Sequence, residues 1–165
     1  MKVLLTLDHS PASDKAVAFV AKVLGKSALP GLEITLFHVV EPLPDFIESR
    51  SQPAAAGNAF RQVADEWSRE SQAGGERLVA SAQQKLGAAG IAAASLKSKL
   101  VARDSRPESR RVVATLAIIE ELKSGSYDVV VVGRRGTSAT IPTLIGGVAE
   151  KIARECHGKT VWIVD

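Results

Sequence analysis

The run DVVVVG, residues 128–133, restricts the possible folds more than any other part of the sequence. Four consecutive valines with no polar residue between them are typical of a strand covered on both faces, and such strands belong to parallel sheets. The apolar runs VLLTL at 3–7 and TVWIVD at 160–165 are two further strand candidates. We therefore expect a largely parallel β-sheet that is flanked by helices.

Helical patterns alternate with these strands along the whole chain. Ser10 can cap a helix, Pro11 fits its first turn and Gly25 can end it. Similar signals predict strands within 32–40 and 94–101, and helices within 59–89, 112–124 and 145–156. The order β-α-β-α-β-α-β-α-β predicts an open α/β sheet with helices on both faces, in one domain spanning residues 1–165.

The helical segment 59–89 contains Gly74-Gly75 between two apolar stripes. Each glycine inside a helix costs about 1 kcal/mol relative to alanine, so we expect a kink or a break at this point. His38 and Cys156 fall within apolar patterns, and we interpret both as packed side chains rather than as reactive groups.

Composition excludes several classes of protein. A net charge of +3 and an aromatic content of 4% predict neither a basic footprint nor a stacking surface for nucleic acid. Cys156 is the one cysteine, so there is no intramolecular disulfide and no cysteine-rich zinc site. No apolar run approaches the roughly 20 residues of a membrane span. We expect no membrane insertion and a cytoplasmic location.

The motifs of common enzymes are missing from the sequence. It contains neither the G-x-x-x-x-G-K-[ST] phosphate loop nor the G-x-S-x-G nucleophile turn. Asp8 is the one carboxylate that we place at a cleft. A single carboxylate without a base, or without arginine and a metal, argues against fast phosphoryl transfer, so we do not expect an enzyme.

Two strand ends carry the residues that suggest a binding site. Asp8 follows the first strand, and Gly133 ends the fourth. In open α/β sheets, ligands bind beyond the carboxyl ends of the strands, where the winding direction reverses. If the chain winds one way through strands 1 to 3 and the other way through strands 4 and 5, Asp8 and Gly133 become neighbours.

The glycine-rich segment GRRGTSATIPTLIGGV, residues 133–148, follows the fourth strand. Glycine lets backbone N–H groups approach an anion, and Gly146-Gly147 opens a helix whose N-terminus favours negative charge. Arg134 and Arg135 add positive charge, and we expect at least one of them to contact phosphate. The segment predicts a phosphate cradle. From its spacing alone, the alternative is a strand-exit turn followed by a helix start.

The spacing G-x2-G-x9-G after a buried valine-rich strand resembles the universal stress protein family. A first strand ended by Asp8 and followed by a serine and a helix is similar to the start of that family, as is HVV at 38–40. The resemblance spans Lys2 to Asp165. It implies a five-stranded parallel sheet of order 3-2-1-4-5 and a homodimer paired through residues 160–165. For one branch of the family it also implies an ATP or AMP site, with or without Mg²⁺.

The resemblance assigns roles on the nucleoside side of this site. Asp8 would meet the ribose or adenine side, and Val39 would line the adenine pocket. Val132, Gly133 and Gly136 would hold the ribose and begin the phosphate loop.

On the phosphate side, Gly146, Gly147 and Val148 would present backbone N–H groups, with Arg135 as a further contact. Gly147 stands where the nucleotide-binding pattern of the family has Ser or Thr. This removes a hydroxyl donor worth about 1–2 kcal/mol but keeps the backbone N–H. The Arg-rich segment 102–111 replaces a short glycine-containing turn of the family.

Two functions stay open at this point. In the first, the chain is a regulatory protein that binds ATP or AMP between strands 1 and 4. The ligand orders the 133–146 loop and so changes the surface that the dimer offers to a protein partner. The sequence does not identify this partner. Slow ATP hydrolysis is compatible with this function.

In the second function, a stress-associated interaction protein binds no nucleotide and uses loops 41–58 and 102–111. A flavodoxin-like electron carrier is disfavoured because 133–147 lacks flanking aromatic residues.

Overall fold

The computed structural model describes residues 1–27, 29–44, 58–102, 110–136 and 145–165. Its strands are β1 (Lys2–Leu7), β2 (Glu33–Val39), β3 (Leu96–Val101), β4 (Val129–Gly133) and β5 (Thr160–Val164). They form one sheet in the order β3-β2-β1-β4-β5, and all four neighbouring pairs are parallel. This arrangement confirms the expected fold class and strand order.

The described helices are α1 (Pro11–Leu24), α2 (Asn58–Ala88), α3 (Arg110–Ser124) and α4 (Gly147–Glu155). A short 3₁₀ turn, Ala93–Ser95, leads into β3. Side chains of α1 and α2 pack in one apolar cluster on the sheet, and those of α3 and α4 pack in a second. Helices therefore cover both faces. In the described ranges, no helix is both long enough and apolar enough to cross a membrane.

The central strand β1 shows why a continuous apolar run is needed. Val3 and Leu5 belong to the cluster under α1 and α2, whereas Leu4 belongs to the cluster under α3 and α4. All three side chains are fully buried. Between helices on both faces, the middle of a strand has no side-chain position that faces solvent.

The winding direction reverses between β1 and β4. β1 pairs with β2 on one side and with β4 on the other, so the chain moves outward to β3 and then returns to the opposite side of β1. Because parallel strands end at the same edge of the sheet, Asp8 and Gly133 flank the crevice at this reversal.

The start of α1 agrees with the sequence signals. Ser10 caps the helix, and its Oγ accepts a hydrogen bond from the Ser13 N–H at 3.2 Å. Pro11 lies in the first turn, and Ser10 and Ser13 are both buried. A cap inside the protein holds the first turn of α1 firmly beside the crevice.

The expected break in the second helix is wrong, because α2 continues through Gly74-Gly75 from Asn58 to Ala88. A Cβ on Gly75 would lie 2.7 Å from Cδ2 of His38, a distance too short for any side chain. Gly75 therefore makes room for the buried imidazole of His38. This agrees with the interpretation of His38 as a packed residue. The propensity cost of glycine is offset by this packing.

The two halves of α2 differ in burial. None of the residues from 60 to 74 is buried, whereas Gly75, Val79, Ala82 and Leu86 are. A 31-residue helix is about 46 Å long, whereas a strand of six residues spans about 20 Å. Since Gly75 packs on His38 near the carboxyl end of β2, the first half of α2 extends beyond that edge of the sheet.

Candidate functional site

Asp8 and Gly136 meet in the crevice between β1 and β4. A Cβ on Gly136 would lie 2.8 Å from Oδ2 of Asp8, so a side chain at position 136 would collide with the carboxylate. The short Asp8 side chain has little freedom to move away. Only glycine at 136 allows the chain that leaves β4 to pass this close to Asp8.

The two oxygens of Asp8 have different surroundings. Oδ1 accepts hydrogen bonds from the backbone N–H and the hydroxyl of Ser10, the former at 3.0 Å. The Asp8 N–H donates to Oγ of Ser13 at 3.1 Å. These bonds fix the carboxylate against the start of α1, while Oδ2 faces Gly136.

Gly133 has a packing role that the sequence did not indicate. A Cβ at this position would lie 3.0 Å from the carbonyl carbon of Ala12 and 3.1 Å from the backbone nitrogen of Ser13. The end of β4 therefore packs directly on the first turn of α1. This close contact favours glycine at position 133, whether or not a ligand binds here.

Gly146 closes the glycine segment at its far end. Its N–H donates to the Arg134 carbonyl at 2.8 Å, and a Cβ on Gly146 would lie 2.9 Å from that oxygen. Residues 137–144, which contain most of the predicted loop, lie outside the described residues. Within the described part, the Gly146 N–H is bonded inside the protein rather than directed to the crevice.

Gly147 and Val148 begin α4, as the sequence predicts. Gly146 precedes the helix as its cap and makes no side-chain capping bond. The N–H groups in the first turn of a helix have no partner within the helix, so Gly147 and Val148 stand at a helix N-terminus, a position that favours anions.

The two valines assigned to the nucleoside side lie in or against the core. Val132 is 2% exposed and belongs to the cluster under α3 and α4, and Val39 is half-buried and packs against the same cluster. Val132 can therefore meet a ligand through its backbone only, whereas Val39 retains some exposed surface.

His9 and His38 lie beside Asp8 at the ends of β1 and β2. Their rings meet edge to face, with centroids 5.7 Å apart. The Nδ1–H of buried His38 donates to the Leu7 carbonyl at 2.9 Å. Burial lowers the pKa of His38, which opposes protonation of its second ring nitrogen.

Arg134 and Arg135 are turned toward the end of β5. Nη2 of Arg134 lies 2.6 Å from Oδ2 of Asp165, and Nη2 of Arg135 lies 3.9 Å from Oδ1. Sequence reasoning missed Asp165. The available signal was its position after the last strand, at the sheet edge where Gly133 also ends.

Cys156 lies in a packed position. Cys156 is half-buried directly after α4, and burial raises the pKa of its thiol, in agreement with a packing role. In the described residues, no group of three or more His, Cys, Asp or Glu side chains is arranged to hold a metal ion.

An open parallel sheet with a crevice at the reversal of strand order defines the class of doubly wound α/β proteins. Within this class, the model of the universal stress protein family matches residues 1–165. The chain therefore belongs to the universal stress protein family.

Several solved structures share the fold. Universal stress protein UspA from Lactobacillus plantarum is 15% identical with a TM-score of 0.68, and the match covers 100% of this chain and 97% of that one. A universal stress protein family protein from Arabidopsis thaliana with AMP bound is 17% identical with a TM-score of 0.60, covering 99% and 90%. A universal stress protein in complex with cAMP is 20% identical with a TM-score of 0.57, covering 99% and 95%. At these identities the likeness shows the fold alone. Curated protein sequences give no match.

Proposed function

We propose that this universal stress protein is a regulatory protein that binds an adenine nucleotide, ATP or AMP, in the crevice between β1 and β4. The close approach of Asp8 to Gly136 carries the proposal, because it leaves a fixed carboxylate oxygen beside a residue that has no side chain. The two similar structures with AMP and cAMP bound support an adenine nucleotide as the ligand class.

The nucleoside is expected to lie over the ends of β1, β2 and β4. Ribose hydroxyls would donate to Oδ2 of Asp8, since Oδ1 already accepts two bonds from Ser10. The adenine would lie toward Val39, and the backbone of Val132 and Gly133 would border the ribose.

The phosphates are expected at the start of α4. The N–H groups of Gly147 and Val148 would bind phosphate oxygens, and Arg135 would add a charged donor. Gly146 would contribute its N–H only if the bond to the Arg134 carbonyl opens. Mg²⁺ would then be held mainly by the phosphates. We also propose that the bound nucleotide orders the 133–146 loop.

Binding rather than catalysis is the proposed activity. Universal stress proteins are generally regulatory and not classical enzymes. Asp8 is held by Ser10 and by the start of α1, and this favours a role in positioning the ligand over one as a mobile base. Slow ATP hydrolysis is not required for the regulation that we propose.

A homodimer paired through β5 (Thr160–Val164) is part of the proposal. Val161, Trp162, Ile163 and Val164 are half-buried on this edge strand, and Trp162 packs edge to face on exposed Phe19 with ring centroids 5.4 Å apart. Pairing with a second β5 would satisfy the outward backbone groups of the edge. A cytoplasmic location is also proposed, and the dimer would act on a further protein partner.

The alternative function is an interaction protein that binds no nucleotide. Two observations favour it: Gly133 packs closely on Ala12 whether or not a ligand binds, and the Gly146 N–H is already bonded to the Arg134 carbonyl. Loops 41–58 and 102–111 would then carry the contacts, and most of both loops lies outside the described residues.

Titration calorimetry with ATP, AMP and GTP, each with and without Mg²⁺, tests the proposal. We expect an adenine nucleotide to bind and Gly136→Ala to weaken its binding at least tenfold, which is about 1.4 kcal/mol. The added methyl group would press on the Asp8 carboxylate. Gly87→Ala is the matched control, because a Cβ there meets nothing within 4 Å. If none of the nucleotides gives a heat of binding at millimolar concentration, the proposal is wrong and the alternative is favoured.

A further inference from the structure

Arg134 is attached to the end of β5 at two points. Its backbone N–H donates to the Val164 carbonyl at 2.6 Å, and its Nη2 lies 2.6 Å from Oδ2 of Asp165. The Arg134 side chain is only 25% exposed, whereas the Asp165 side chain is 55% exposed. The first arginine of the glycine segment is thus held by the carboxylate of the residue that follows β5.

Several cations surround this carboxylate. A hydrogen bond from Arg134 is the main cause that lowers the pKa of Asp165, and the charges of Arg134, Lys15 and Arg135 act in the same direction. Nη2 of Arg135 lies 3.9 Å from Oδ1. The side-chain carboxylate of Asp165 therefore faces three positive side chains beside the crevice.

A carboxylate and a phosphate compete for the same arginine. Both present oxygen atoms that accept charge-assisted hydrogen bonds from a guanidinium group. The backbone of Arg134 is fixed at the base of the glycine segment, because its carbonyl accepts from Gly146. An arginine side chain has several rotatable bonds, so we expect the guanidinium to turn from Asp165 toward the crevice when a phosphate binds there.

We infer that Asp165 is an internal competitor of the phosphates, whose carboxylate must release Arg134 and Arg135 before they can bind a nucleotide. This inference rests on the proposed nucleotide site and adds a residue that tunes its affinity. Ligands without phosphate do not need the arginines, so Asp165 affects ATP and leaves adenosine unaffected.

The test is calorimetry of ATP and adenosine binding to the wild type and to Asp165→Asn at low salt. Loss of an exposed ion pair should strengthen ATP binding about two- to fivefold, and the gain should decrease as salt screens the charges. Adenosine binding should not change. Asparagine has nearly the same shape as aspartate, and the site is exposed, so the variant is expected to fold.

Two further variants test the cause of the gain. Glu155→Gln removes the same charge from the end of α4, where Glu155 lies 3.8 Å from Lys151, and it should leave ATP affinity unchanged. Arg134→Gln should abolish the gain when it is combined with Asp165→Asn, as expected for two residues that act through one contact.

The outcomes separate this inference from the proposed function. ATP binding by Asp165→Asn but not by the wild type would support the competitor and contradict nucleotide binding by the native chain. Equal ATP affinity of the two proteins, or an equal gain with Glu155→Gln, would overturn the competitor and leave the nucleotide site intact. If neither protein binds ATP, both proposals are wrong.

Discussion

The two edge strands of the sheet differ in charge. β3 carries Lys97 and Lys99, which are both exposed. Their ammonium groups lie 2.5 Å from Glu33 and 2.6 Å from Glu121. β5, on the opposite edge, has no charged residue between Thr160 and Val164, and the residues from 161 to 164 are half-buried. The fold thus has one edge with paired charges and one apolar edge.

This difference bears on the edge at which the proposed homodimer would pair. Pairing at β3 would bring a second strand against lysines and their carboxylate partners, whereas pairing at β5 would bury apolar side chains. One of the charges at β3 pairs with a largely buried carboxylate, that of Glu121. Burial alone would raise the pKa of the Glu121 carboxyl, but hydrogen bonds from Lys99 and Tyr127 lower it overall. We therefore expect the proposed homodimer to pair through β5 rather than through β3.

The largest expected effect comes from making β5 resemble β3. Val161→Lys places an ammonium group on the proposed seam, and we expect the homodimer to dissociate at micromolar concentration, as measured by light scattering. Val63→Lys makes the same change on the first half of α2 and should leave the dimer intact. Circular dichroism checks that both variants fold. A Val161→Lys variant that remains dimeric would place the seam elsewhere.

The converse change makes β3 resemble β5. Lys97→Val and Lys99→Val, combined with Glu121→Gln so that the largely buried Glu121 carboxylate is not left without Lys99, should expose a second apolar edge. We expect association beyond the dimer that increases with protein concentration, as measured by sedimentation. Lys22→Val and Lys123→Val remove two lysines from helix surfaces instead. If this control associates to the same degree, edge charge is not the cause.

A smaller effect is expected from pH, which should change the stability of the fold around β2 but not the pairing at β5. The unfolded chain binds a proton at His38 more readily than the native protein does, since burial lowers the native pKa of this residue from 6.5. The free energy of unfolding should therefore fall as pH drops below about 6.5 and level off below the native pKa. Thermal melting at several pH values measures this slope.

His38→Gln should remove the slope, and His157→Gln, at an exposed position, should retain it. His38 lies in β2, between β1 and β3, so we expect the dimer affinity at β5 to change little over the same pH range. A slope that persists in His38→Gln would assign the titration to another group.

The elements that could be predicted from sequence are those fixed by local patterns. The valines of β4 and the Ser10–Pro11 start of α1 each determine their element from a few neighbouring residues. Together with the family resemblance, they gave the fold class and the strand order correctly.

The details that were missed depend on residues far apart in the chain. The helix at Gly75 stays intact because of His38, which lies 37 positions earlier, and no local pattern links the two. Likewise, the glycine at 133 fits Ala12, and Arg134 pairs with Asp165. Strand order brings such residues to the same edge, but only the packed structure shows which side chains meet.

The uneven burial of α2 has a consequence for its stability. Proteins open locally in cooperative units, and the free energy of opening a unit grows with the apolar contacts that it makes. Residues 75–88 hold the core contacts of α2, and residues 60–74 contain no buried side chain. Backbone amides in the first half should therefore exchange with solvent faster than those in the second. The helix is continuous, yet the free energy of local opening is expected to change from low to high close to the two glycines.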